Sequence, residues 1–337
     1  MANSFSGLTA YVNEDRFGRA FWTEALMRND VMPFVVKDGL PIPGVKNDSI
    51  DLAKLSATAT IADGSTCVGD LDKDNDTVIS KGTTINLKKG FISGVICPHD
   101  GFETYYTAQG MPAGQHYKGL GVWQAPLMAE INRHIAKRLA LNFWQGNQSG
   151  DTWTYDGWID QLLAANMGSA VIGTATPTDG GSAGTDAAGV FNICEALVAS
   201  AMTSVDFGQD IMDGNVYIVM NAQNREFMRI NYQRRYGLQM PEIAVGLTGL
   251  QNNSFGTFLM PGTRIPVELQ QGVPQSTIIM SRKKNQVLAF DLESDFTNVE
   301  VGMDQYNENM WWKLRMKVGG GWQALDTNNV KYWGPAS

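Results

Sequence analysis

The chain has 337 residues, 43% hydrophobic and only 18% charged, so it is long enough for two or three domains with real cores, and a large share of its low-charge surface is expected to meet other protein. Its net charge of −8 and pI of about 4.9 disfavour tight binding to a nucleic-acid backbone, because an acidic chain does not neutralise phosphates. Cys67, Cys97 and Cys194 form neither a disulfide framework nor a C-x-x-C metal knuckle and fit a reducing compartment; no signal-peptide pattern and no run of about 20 apolar residues is present.

Residues 1–47 read as an arm with little core of its own. Residues 15–29 suit a short helix with Phe17, Phe21, Trp22 and Leu26 on one face. DVMPFVVKDGLPIPG then reads as extended chain, with three prolines and two glycines. Phe21, Trp22 and Phe34 would be stranded in water unless another surface takes them, so Phe17, Phe21, Trp22 and Phe34 are candidate subunit contacts.

Residues 48–97 read as a two-stranded ribbon. SIDLAKLSATATI alternates, TTINLKKGFISGVI supplies the return, and an irregular tip lies between them. Such a weakly apolar ribbon is not stable alone and needs a neighbour, which a second subunit can provide. Residues 98–125 are irregular. PLMAEINRHIAKRLALNFWQG follows as a helix over 126–145: Pro126 suits the first position, Leu127, Ile131, Ile135, Leu139 and Phe143 recur every fourth residue, and Gly146 offers the left-handed stop.

GTATPTDGGSAGTDAAG reads as a surface loop or mobile hinge. Val190, Ile193, Cys194, Leu197, Val198, Ala201 and Val205 mark the cleanest helical stripe, with Asp186 as its N-cap and Cys194 as a small buried apolar group. NVYIVM is a short buried strand, and Asn221 caps a helix running to about Tyr232. The C-terminal part is strand after strand: TIIMS, VLAFDL, VEVGM and MWWKLRMKV. In the last, Trp311, Lys313, Arg315 and Lys317 form a basic outer face. GGGW reads as a sharp bend, and NVKYW closes the chain.

The motifs of chemistry are missing. His99, His116 and His134 fall in no H-E-x-x-H or H-x-E pattern, and no nucleophile elbow, phosphate loop or G-x-G-x-x-G occurs. No catalytic residue and no cofactor is expected. One acidic cluster stands out, at Asp70, Asp72, Asp74 and Asp76. Asp72, Asp74 and Asp76 fit positions 1, 3 and 5 of a calcium loop, but Thr77 stands where glycine belongs and Thr83 where glutamate belongs. The alternatives are a solvated tip, or a tip whose Asp70, Asp72 and Asp74 meet Lys283 and Lys284 of a neighbouring subunit.

Arm, ribbon, long helix, α/β insert with a flexible loop, then closing strands is an order that resembles the major capsid protein of tailed bacteriophages, the Hong Kong 97-type fold. IAKRLALNFWQGN before DGWIDQLLA is similar to that family's passage from spine helix to axial domain. NVYIVMNAQNREFMRINY resembles its strand, asparagine turn and helix. FGTFLMPGTRIPVELQQGVPQSTIIMSRKKNQVLAFDL resembles the stretch that follows. The resemblance spans about residues 45–333 and lies in the joint order of segments.

It implies an α+β subunit with an N-terminal arm (1–47), an extended loop (48–97), a peripheral domain with the spine helix (98–150), an axial domain (151–295) and closing peripheral strands (296–337). It implies self-assembly as hexamers and pentamers into an icosahedral head shell, built in the host cytoplasm and carried in the virion. That shell encloses double-stranded DNA without sequence-specific binding or a membrane. Separate scaffold, portal and decoration proteins are its further expected partners. Covalent crosslinking through a ribbon lysine (Lys73, Lys81, Lys88 or Lys89) is not carried over, since no asparagine partner is identifiable. The rival readings are another virion protein, a tail-tube or decoration protein, and a calcium-dependent hydrolase or carbohydrate-binding protein using the Asp-rich loop.

Overall fold

The computed structural model describes residues 31–45, 47–56, 79–96, 133–134, 136–147, 156–165, 170–240, 258–290, 299–304 and 309–334. Helix α1 (Val31–Lys37) comes first. It replaces the extended chain expected from its proline, because Pro33 stands in the first turn, where no backbone N–H enters the ladder. β1 (Leu40–Pro43), β2 (Ser49–Ser56), β3 (Ile79–Asn86) and β4 (Lys88–Ile96) follow, and then helix α2, described over 136–145. The expected start of α2 near Pro126 lies outside the described residues.

Helix α3 (Trp158–Ala164) leads to β5 (Val171–Gly173) and to α4 (Val190–Met202). Asp186 does not cap α4: its Oδ1 accepts from Ala188 N at 3.1 Å. The cap comes from a distant residue, the buried Asn231, whose Oδ1 accepts from Phe191 N and Asn192 N at 3.0 and 3.3 Å. The α4 stripe also stops earlier than its periodicity implies. Thr203 and Ser204 break it, and Val205, expected as its last apolar residue, opens α5 (Val205–Met212) at 88% exposure.

β6 (Val216–Met220) is buried throughout. Asn221 caps α6 (Ala222–Tyr236), its side chain accepting from Asn224 N at 2.7 Å, and Gly237 ends the helix at φ 67°. β7 (Phe258–Leu259), β8 (Pro266–Leu269), β9 (Ile278–Arg282), β10 (Gln286–Phe290), β11 (Val299–Asp304), β12 (Asn309–Trp322) and β13 (Val330–Trp333) complete the described chain.

The described strands form three sheets. A six-stranded sheet has the order β5-β13-β9-β6-β8-β7; a five-stranded sheet has β1-β10-β12-β11 with β4 also on β12; β2 and β3 pair alone. The closing strands therefore divide between two sheets: β11 and β12 lie in one, while β13 inserts between β5 and β9 of the other. β10 likewise leaves the six-stranded sheet of its sequence neighbours to pair with β1 and β12. Both strands are buried at every position, and such strands take central places whichever sequence segment they come from.

The return strand of the ribbon is shorter than its apolar pattern implies. β3 ends at Asn86, and after Leu87 the chain enters β4, which pairs with β12 over Lys88–Ile96. GGGW is no bend: Gly319, Gly320 and Gly321 continue β12 opposite β10. The main core joins α1, α2, α3 and both larger sheets. Trp144, Trp158 and Trp322 sit at its centre fully buried, with the Trp144 and Trp158 rings edge-on at 4.9 Å.

Phe34 belongs to this core. It is 2% exposed, 5.9 Å from the Trp144 ring and edge-on to Tyr217 at 5.3 Å. Its expected role as a subunit contact is corrected: α1 turns it inward. Phe34→Ala should lower the stability of the isolated subunit by about 3–5 kcal/mol in chemical denaturation. A loss under about 1 kcal/mol would place the ring outside the core.

Candidate functional site

The β2–β3 ribbon stands on the body through a closely packed foot. Ile50, Leu52, Ile85 and Leu87 pack on Leu40 and Ile42 of β1 and on Val287 and Ala289 of β10. β12 crosses the same foot. A Cβ on Gly319 would lie 2.7 Å from Asn86 O, and one on Gly321 2.7 Å from Ile85 Cγ1. Thr83 Oγ1 donates to Gln323 O at 3.1 Å, and Leu87 N donates to Asp48 O at 2.8 Å.

α3 holds the same glycines through their carbonyls. Trp158 Nε1 donates to Gly321 O at 3.1 Å and Gln161 Nε2 to Gly320 O at 2.8 Å, while Trp322 Nε1 returns a bond to Trp158 O at 2.9 Å. Lys317, expected on an exposed basic face, is 2% exposed, and its Nζ reaches Asp48 Oδ1 at 2.9 Å beside the ribbon foot. Trp311 of that face is exposed.

A second charged junction ties α1 to the turn between β9 and β10. Asp38 is 1% exposed; Lys37 and Lys283 approach its two carboxylate oxygens at 3.6 Å each, and Lys37 also pairs with Glu268. Lys284 takes φ 63°, and its N–H meets Asp38 O. Lys283 thus answers an acid of its own subunit, and Lys284 is held by its backbone in a tight turn. Their expected role as contacts for the acidic tip of a neighbour turns on residues 70–76, which lie outside the described residues. Burial, with the charges of Asp38 and Glu268 adding, also holds the Tyr217 phenol neutral, and its hydroxyl donates to Gln286 Oε1 at 2.9 Å.

Phe17, Phe21, Trp22, Asp70, Asp72, Asp74 and Asp76 lie outside the described residues. Cys194 is a packing side chain: burial, with Glu195 beside it, pushes its thiol up to about 12, out of reach of nucleophilic chemistry at neutral pH. Among the described residues no three His, Cys, Asp or Glu side chains gather as a metal site, and no single helix is long and apolar enough to cross a membrane. What the described residues bring together is a two-stranded hairpin and the seat that holds its foot. The seat escaped sequence reasoning because glycines chosen for clearance look like glycines chosen for a turn; the alternation of MWWKLRMKV running straight into them was the available signal.

No protein-family model and no curated protein matches the sequence. Solved structures do. Over 87% of this chain and 91% of the other, the fold matches a chain of the satellite phage P4 procapsid that includes the size determination protein, with a TM-score of 0.50 and 9% identity. Chains of Microbacterium phage Oxtober96 (TM-score 0.49, 11% identity, 89% and 90% covered) and of an encapsulin complex from Synechococcus elongatus (0.47, 11%, 89% and 85%) are also similar. The chain has the mixed helix-and-sheet fold of a phage capsid subunit, as the sequence resemblance implies; at these identities the likeness is one of fold.

Gly319→Val should detach the ribbon without unfolding the body. Limited proteolysis should cut within 49–56 and 79–86 faster than in the parent, while the centre of the body, α4 and β6, keeps its protection. Unchanged cleavage of the ribbon would show that the glycine seat does not hold it.

Proposed function

We propose that this chain is the shell-forming subunit of a tailed-phage head and acts by assembling with copies of itself, without catalysis. The observation that carries the reading is a capsid-type fold whose two-stranded ribbon stands on the body by its foot. An isolated pair of strands is marginal in water, and a neighbouring subunit supplies what it lacks. In this reading the ribbon of 48–87 is the extended loop, with β4 (Lys88–Ile96) joined to the body, 126–145 is the spine helix, and the axial domain around five- and six-fold axes lies within 151–295, its sheet completed by β13 of the closing segment 296–337. Of residues 1–47, those before α1 are the arm, with Phe17, Phe21 and Trp22 as its contacts on a neighbour, while α1 and β1 root it in the body. Its hexamers and pentamers close into an icosahedral shell in the host cytoplasm, with separate scaffold, portal and decoration proteins as further partners.

The enclosed cargo is double-stranded DNA. The net charge of −8 suits a wall that repels packaged DNA and leaves it free to move, so empty shells should bind DNA weakly, with little dependence on salt. A steep fall in binding with added salt would contradict this.

Electron microscopy of the purified protein tests the whole reading. Closed particles or hexagonal sheets are the expected result; tubes, or monomers at high concentration, would overturn it. Two truncations test the arm. Removing residues 1–30 spares Val31 and Phe34 of the core, so a folded subunit that no longer makes closed shells is expected. Removing residues 1–38 also deletes those core side chains and Asp38 and should destabilise the subunit itself. Normal shells from the shorter truncation would remove the arm from the account.

A further inference from the structure

Most of the large hydrophobic side chains that the described residues expose gather at the two ends of α4. Met202 ends α4, and Val205 and Met212 begin and end the α5 that follows it, with Val205 at 88% and Met212 at 78% exposure. Tyr236 and Leu238 stand at the other end, where α6 finishes beside the start of α4: Phe191 meets Tyr236 edge-on at 5.9 Å, and Arg235 pairs with Glu195. Thirteen helical residues separate the two groups by about 20 Å. The α5 end carries Asp206, Asp210 and Asp213, of which Asp210 is paired with Arg282, and no lysine or arginine occurs from residue 139 to 224. The last turn of α6 carries Arg234 and Arg235, paired with Asp179 and Glu195 and still partly exposed.

We propose that the α5 end of one copy packs on the α6 end of the next, Val205 and Met212 meeting Tyr236 and Leu238 while Asp213 approaches Arg234. The inference rests on the shell-subunit reading and names a surface through which copies meet. The occupant is a second copy because the two patches are unlike in charge and lie at opposite ends of one helix. One contact then leaves a free end of each kind, and repetition by rotation closes a ring. An isologous dimer through the α5 end would instead set Asp206 and Asp213 against their own kind. Arg234 is already held by Asp179 at 2.7 Å, yet its side chain is 36% exposed, and a guanidinium with five donors serves a second carboxylate.

The test uses the full chain and light scattering to find the concentration at which particles form, with a thermal melt of each free subunit. Val205→Asp and Asp213→Arg change exposed side chains, so the melt should stay unchanged while the assembly concentration rises at least about tenfold. Combining Asp213→Arg with Arg234→Glu should recover most of that loss, since each reversed end meets the other. Parent particles whose variants assemble at the parent's concentration, or a double variant with no recovery, would overturn this surface and leave the shell reading intact. A parent chain that forms no particles would overturn both.

Discussion

Nothing larger than hydrogen fits on β12 at Gly319 and Gly321, and the rest of the architecture follows from that clearance. The foot of the ribbon lies directly over these residues, close enough that a methyl group would strike Asn86 O or Ile85. Trp158 and Gln161 meanwhile hold the neighbouring carbonyls. One strand thus carries a hairpin and receives a helix within three residues. The glycines serve close approach here; their freedom to adopt unusual backbone angles is not used, since they continue a regular antiparallel ladder with β10.

The seat also explains how a chain with so few charges spends them. Lys317 is drawn under the foot toward Asp48, and Asp38 is locked between Lys37 and Lys283 where α1 meets the turn after β9. Both junctions fix projecting or peripheral segments to a common core. A buried charge stripped of its partner, the Asp38 carboxylate at one junction and the Lys317 ammonium at the other, is costly, so these pairs hold the segments in one place. Among the described residues, Met202, Val205, Met212, Tyr236 and Leu238 are large apolar side chains that the core leaves exposed.

Much of the fold was legible in the sequence because periodicity and caps are local. The stripe of α4, the buried run VYIVM, the Asn221 cap and the strands after residue 277 all appear within a residue or a few of their expected places. The misses have physical causes of one kind. Asn231 caps α4 from another helix, β13 leaves its sequence neighbours for the six-stranded sheet, and Phe34 is turned inward by a helix that tolerates Pro33 in its first turn. Each depends on a partner that pattern reading cannot see. The contact residues of the arm and the acidic tip rest on sequence alone.

The ribbon is seated at its foot, and in the proposed shell another copy completes it. Hydrogen exchange at the backbone amides of 49–56 and 79–86, compared between the free subunit and assembled particles, tests it most directly. Slow exchange is expected near Leu52 and Ile85 in both states, with exchange in 53–56 and 79–82 slowing at least about tenfold on assembly. Equal protection along the whole ribbon in the free subunit and the particle would contradict it.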